Sequence, residues 1–205
     1  MLRGDEIVGQ ACADALEADG HVVEMVDDAS AVQARAAEAD VLVVVPPIPV
    51  VGRSGGGATL SWLETVHAAV AAVSPPMQAR GDGRIVLVVV ASGLPGRSAT
   101  DQTSSAMWGA VGLARTAARE LAPHGVTVNA VRIGLVDHPA LRDEAAADPA
   151  VAEALAAVER QAPLRRTVAP SDVAAAVAFL ASPAAAYVTG VVLPVDAGLT
   201  IGLGG

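Results

Sequence analysis

The chain has 205 residues, 53% of them hydrophobic but only 2% aromatic, and its 22 acidic and 13 basic side chains leave a net charge of −9. That length suits a single domain over residues 1–205, with a core built from Ala, Val and Leu. An acidic chain without basic patches is not built to bind nucleic acid. Cys12, the single cysteine, excludes an internal disulfide and a multi-cysteine metal site, and no other metal site is expected. No apolar run reaches the ~18 residues of a membrane span. The N-terminus lacks the basic, apolar and small-residue succession of a signal peptide, so a cytoplasmic location is expected.

Helix-like and strand-like segments alternate. Ile7 to Ala18 reads as a helix stopped by Asp19-Gly20. His21 to Val26 reads as a strand, followed by the acidic turn Asp27-Asp28. Ala31 to Ala39 reads as a short helix, and the β-branched run Asp40 to Val45 as a strand buried on both faces. Val50 to Gly57 is a loop. Leu60 to Val73 is helical, with Pro75-Pro76 expected to close it. Arg84 to Ala91 is the strongest strand, and Ser92 to Thr100 is a Gly/Pro/Ser loop.

Ser104 to Ala122 is the longest helix, with Met107, Ala110, Val111, Ala114, Ala118 and Leu121 at helical spacing. Val126 to Val131 is the next strand. Asp148-Pro149 opens a helix to about Glu159. Ala169-Pro170-Ser171-Asp172 opens another to Leu180, and Val191 to Val195 is a closing strand. Such alternation with buried strands predicts a Rossmann-like α/β fold, a doubly wound parallel sheet. Only Met1, Leu2 and Arg3 precede Gly4, so the first strand of such a sheet is expected to be missing or truncated.

The stretch Ala118 to Val131 and the groups Gly83-Arg84-Ile85-Val86, Asn129-Ala130-Val131 with Gly134, Pro163-Leu164-Arg165-Arg166, Tyr187-Val188-Thr189-Gly190 and Leu193 to Gly198 resemble the short-chain dehydrogenase/reductase family. Within it the chain resembles a degenerate 3-oxoacyl-thioester reductase-like member that lacks the Tyr-x-x-x-Lys motif. The resemblance implies hydride transfer between a nicotinamide and a carbonyl or alcohol. In the family a Tyr handles the proton, a Lys one helical turn on lowers the Tyr pKa, a Ser polarises the substrate oxygen and an Asn supports a water relay.

Aligned on Gly112-Leu113, the Tyr position is Thr103 and the Lys position is Met107. The alcohol cannot titrate near neutrality, and the thioether carries no charge. Thr103 reads as a relic acid or, more simply, as a helix N-cap. The Ser position falls near Val90, leaving Ser92 as a relic candidate that a tight turn explains equally well. The Asn position falls near Trp62, which reads as a packing residue. Tyr187 lies in the C-terminal signature and is no substitute.

The implied Gly-x-x-x-Gly-x-Gly pyrophosphate turn maps onto Arg3 to Gly9, with Ile7 at the middle glycine and Gly4 as a shifted remnant. Asp5 and Glu6 would repel phosphates there. Val44-Val45-Pro46-Pro47 replaces the loop that borders the adenine. Ile133 replaces the Pro before Gly134, and His138 falls at the following Thr, where it reads as a phosphate contact, a base or a surface histidine. Gly4, Gly9, Asp27 and Gly134 are the residual cofactor-binding candidates, Asp27 reading equally as a solvated turn acid.

The resemblance implies pairing through helices Leu60 to Val73 and Ser104 to Ala122 and through the C-terminal strand, with self or with an active homologue. Ala106, Ala110, Ala114 and Ala117 would allow close helix approach or serve ordinary packing on the sheet. The expected function is a non-catalytic subunit paired with an active homologue in a ketoreductase or hydroxyacyl dehydrogenase complex, with no cofactor of its own. The alternative is an atypical NAD(P)-dependent oxidoreductase acting on a ketone or alcohol.

Overall fold

A computed structural model describes Met1 and residues 4–48, 56–90 and 102–201, the side chains of 56–60 and 102–104 excepted. Among the described residues four strands form one parallel sheet in the order β1–β2–β3–β4, with β1 Val41–Val44, β2 Gly83–Val90, β3 Val126–Ile133 and β4 Val192–Val195. Leu42 lies opposite Ile85, Ile85 opposite Val128, and Ile133 opposite Val195. β2 and β3 are buried on both faces; residues 85–90 of β2 run apolar without alternation for that reason, whereas β3 carries Thr127, Asn129 and Arg132 between its apolar residues.

One face carries α2 (Ala29–Arg35), α3 (Gly56–Arg80) and α4 (Gln102–Leu121). Trp62, Val66, Met77, Met107 and Ala110 pack there against Leu87 and Val128. The other face carries α1 (Glu6–Ala18) and α7 (Pro170–Ala181), whose Val8, Cys12, Leu16 and Val177 meet Val86, Val88 and Val131. Between β3 and α7 the chain makes α5 (Pro139–Ala147) and α6 (Pro149–Gln161). This is the doubly wound α/β fold that the alternation predicts.

Several elements differ from the sequence expectation. His21 to Met25 form no strand; Val26 makes a single bridge. A strand needs a hydrogen-bonded neighbouring strand, and among the described residues this segment's backbone bonds only at its ends and to Met1: the His21 N–H donates to Leu16 O at 3.0 Å, the Val26 N–H donates to the Met1 carbonyl at 2.9 Å, and the Met1 ammonium donates to Glu24 O. Burial holds that ammonium below its ordinary pKa range. Pro75 and Pro76 do not close α3 but lie inside it. Two buried residues flank them, Val73 and Met77, and beyond them Arg80 anchors the last turn by donating to Ala37 O at 2.8 Å and Ala39 O at 2.5 Å. Packing here outweighs the ~3 kcal/mol that interior proline costs.

The stretch 139–147, to which the sequence reading assigns no element, is α5, opened by His138 as its cap and Pro139 at its first position. The Ala stripe of α4 is consumed inside the chain: Ala106, Ala110, Ala114 and Ala117 are at most 6% exposed and sit in the core.

Candidate functional site

The carboxyl ends of the parallel strands, where this kind of sheet leaves its crevice, bring together the end of β2, the first turns of α4, the start of α1 and the β3–α5 connection. At the end of β2 the Val90 N–H donates to the Met107 sulfur at 3.3 Å. Met107 is 2% exposed and belongs to the core. Thr103 lies inside the first turn of α4, which begins at Gln102, so it is not the cap that precedes the helix. Ser92 lies outside the described residues. Trp62 is buried on α3 as a packing residue, with its indole N–H unpartnered.

Asp5 organises the start of α1. It is 9% exposed, and its Oδ1 accepts the N–H groups of Ile7 at 3.1 Å and Val8 at 2.9 Å, while its carbonyl accepts Gly9 N–H at 2.9 Å. Its Oδ2 lies 3.6 Å from His138 Nε2. His138 Nδ1 accepts the Ala140 N–H at 3.1 Å as the cap of α5, which leaves its proton on Nε2, facing Asp5. Beside this pair, a Cβ on Gly4 would sit 2.3 Å from Val45 O and 2.4 Å from the Pro46 carbonyl carbon. The chain therefore passes flush against the exit of β1.

Gly9 is buried within α1. A Cβ on Gly134 would sit 2.9 Å from Asp196 Cα, so this glycine lets β3 and the end of β4 approach. Asp27 is exposed in the turn before Asp28, the cap of α2. Ser30 and the Ala31 N–H hold the Asp28 carboxyl below the usual carboxylate range. Gly4 and Gly134 thus sit at close approaches, to Val45 and Pro46 and to Asp196 respectively, while Asp27 lies on an exposed turn.

A family model described as Enoyl-(acyl carrier protein) reductase matches residues 61–200. The chain belongs to the short-chain dehydrogenase/reductase family. It is 35% identical over 211 residues to a Streptomyces virginiae protein of the monensin polyketide synthase named as a ketoacyl reductase, spanning 91% of this chain and 79% of that protein. It is 37% identical over 131 residues to a 3-oxoacyl-(acyl-carrier-protein) reductase of Vibrio cholerae serotype O1, covering 62% of this chain and 50% of that one. Several other relatives are likewise spanned over about half their length. Among solved structures, a short-chain dehydrogenase/reductase from Burkholderia thailandensis superposes with a TM-score of 0.74 at 28% identity, covering 95% of this chain and 89% of that one.

For a short-chain dehydrogenase/reductase the inventory of proton-handling side chains is sparse. None of the 13 basic residues is a lysine. Tyr187, the single tyrosine, is fully exposed at the far end of the strands from the crevice, beside the segment that leads into β4. The α1 terminus does not fit a dinucleotide pyrophosphate either. The N–H groups that would face a phosphate are taken by Asp5, whose carboxylate is itself an anion. Among the described residues no three His, Cys, Asp or Glu side chains gather as a metal site, and no helix is long and apolar enough to cross a membrane.

Two features of this region were not read from the sequence. His138 joins Asp5 because α5 turns it inward; the Pro139 after it was the available signal, since Pro favours the first helical position. Arg132 was missed as a charged residue within an apolar strand. Alternation along β3 places it on the α4 side. Its Nη2 donates to Thr200 Oγ1 at 2.8 Å, Thr200 donates to the buried Asp196, and its Nε has no hydrogen-bond partner. Beside this network a cavity of about 310 Å³ is lined by Arg166, Thr167, Asp172, Pro194, Asp196 and Gly198 among others. Its lining holds carboxylates and a guanidinium but no histidine, cysteine or tyrosine.

Proposed function

We propose that this chain is a non-catalytic member of the short-chain dehydrogenase/reductase family that pairs with an active homologue in a cytoplasmic ketoreductase or hydroxyacyl dehydrogenase complex. The observation that carries this reading is Met107. Where the family's pattern puts a cation, a buried thioether caps the Val90 N–H, and the chain has no lysine to supply one from elsewhere. Without a neighbouring cation and a phenol in α4, a proton cannot be delivered to a carbonyl oxygen in the family's manner.

An outward helix face supports the pairing. Trp108 on α4 is 47% exposed, and one turn on, a Cβ at Gly112 would meet nothing within 4 Å. Exposed Glu64, Ala68 and Ala71 on α3 continue this surface. A large indole beside small residues is the composition of an interface core rather than of a solvated face. Bound in this way, the chain stabilises the active subunit by mass action. The relatives named as ketoacyl and 3-oxoacyl reductases point to an acyl thioester or polyketide-like ketone as the partner's substrate.

The test is purification of the chain alone and together with a neighbouring dehydrogenase of the same family. A stable mixed complex that Trp108→Ala disrupts is the expected result. Two separate species at micromolar concentration would remove the reading.

A further inference from the structure

The start of α1 is occupied from within. The Asp5 carboxylate accepts from the Ile7 and Val8 N–H groups at 3.1 and 2.9 Å and is 9% exposed. Its second oxygen lies 3.6 Å from His138 Nε2. His138 is held from its own side by the Ala140 N–H.

The connection that carries His138 is itself fixed. Val136 bridges Val168, the Asp137 N–H donates to Val168 O at 2.8 Å, and the Val168 N–H donates to Leu135 O at 2.8 Å. Asp137 pairs with Arg142 at 2.6 Å. The contact from α1 to α5 thus joins two rigid pieces across the carboxyl ends of the strands. Gly4 against Val45 and Pro46 closes the adjoining stretch, with backbone atoms on both sides.

We infer that this chain has put its own Asp5 carboxylate where a dinucleotide phosphate would bind, with His138 beside it, and that the occupied start of α1 rejects nicotinamide dinucleotides. A helix N-terminus accommodates one anion at close range. With Asp5 in place, an incoming pyrophosphate would meet a like charge, and the Ile7 and Val8 N–H groups are already bonded. Removing the charge while keeping a capping oxygen therefore lifts the repulsion without unravelling the helix, because Ser caps about as well as Asp.

This inference rests on the non-catalytic reading but fails separately from it. NADPH is titrated into the full chain by fluorescence and NADP⁺ by calorimetry, for the wild type and for Asp5→Ser, with Asp5→Asn as the variant closest in shape. The wild type shows no saturable binding up to about 1 mM, and Asp5→Ser binds at least about tenfold more tightly, a change of about 1.4 kcal/mol. Micromolar binding by the wild type overturns the inference. So does a serine or asparagine variant that keeps the wild-type Tm without any gain. Tight binding without turnover overturns only the blocked start of α1, whereas turnover of a ketone overturns the non-catalytic reading.

Discussion

The sulfur of Met107 accepts the Val90 N–H across 3.3 Å, locking the first turns of α4 to the last residue of β2. Restoring a lysine there would place an ammonium in a site 2% exposed and lined by apolar neighbours. Met107→Lys is expected to lose about 3–5 kcal/mol, the scale of an unpaired buried charge. Met107→Leu keeps the volume and should lose less than about 1.5 kcal/mol. Urea unfolding of both variants checks the difference.

Asn129 joins β3 to the segment before β4. Its Nδ2 donates to Val188 O at 2.8 Å, and its Oδ1 accepts the Val191 N–H at 3.2 Å, in a fully buried setting. Asn129→Ala leaves both backbone groups without a partner, so a loss of about 2–4 kcal/mol is expected. Hydrogen exchange should quicken at Val191 before it does in β2.

Cys12 faces the α1–α7 core at 0% exposure. Burial pushes its thiol from the ordinary 9.0 up to about 12. The folded state thus keeps the proton more tightly than the unfolded state. The associated stability is complete below pH 9.0 and drains away as pH rises toward about 12. A thiol reagent at pH 8 should leave the native protein unmodified and label it only at the rate of unfolding.

Two left-handed glycines separate strain from collision. A Cβ at Gly20, φ +90°, meets nothing within 4 Å, whereas at Gly125, φ +75°, it lies 2.3 Å from Gly81 O. Gly20→Ala should cost about 1–2 kcal/mol from the backbone alone. Gly125→Ala should cost clearly more, because it also forces apart the turns that precede β2 and β3. Paired thermal melts give the comparison.

The fold was legible because burial writes itself into the strands: Ile85 to Val89 is apolar on both faces, and Val126, Val128 and Ala130 make one face of β3 apolar. His21 to Val26 is also rich in valine yet forms no strand, since pairing depends on a neighbour that local pattern does not reveal. Pro75 and Pro76 misled for the opposite reason, tertiary packing around Met77 carrying the helix through them. At the site, the absent phenol and ammonium are plain in the sequence. The contact between Asp5 and His138 spans 133 positions of chain and becomes visible only when α5 forms.

The most direct test of the central claim is NADPH-dependent reduction of a 3-oxoacyl thioester by the purified chain alone, followed at 340 nm. No rate above the enzyme-free background is expected, with turnover appearing only when an active family member is added. A rate carried by this chain alone, and abolished by Ser92→Ala or Thr103→Ala, would contradict the account.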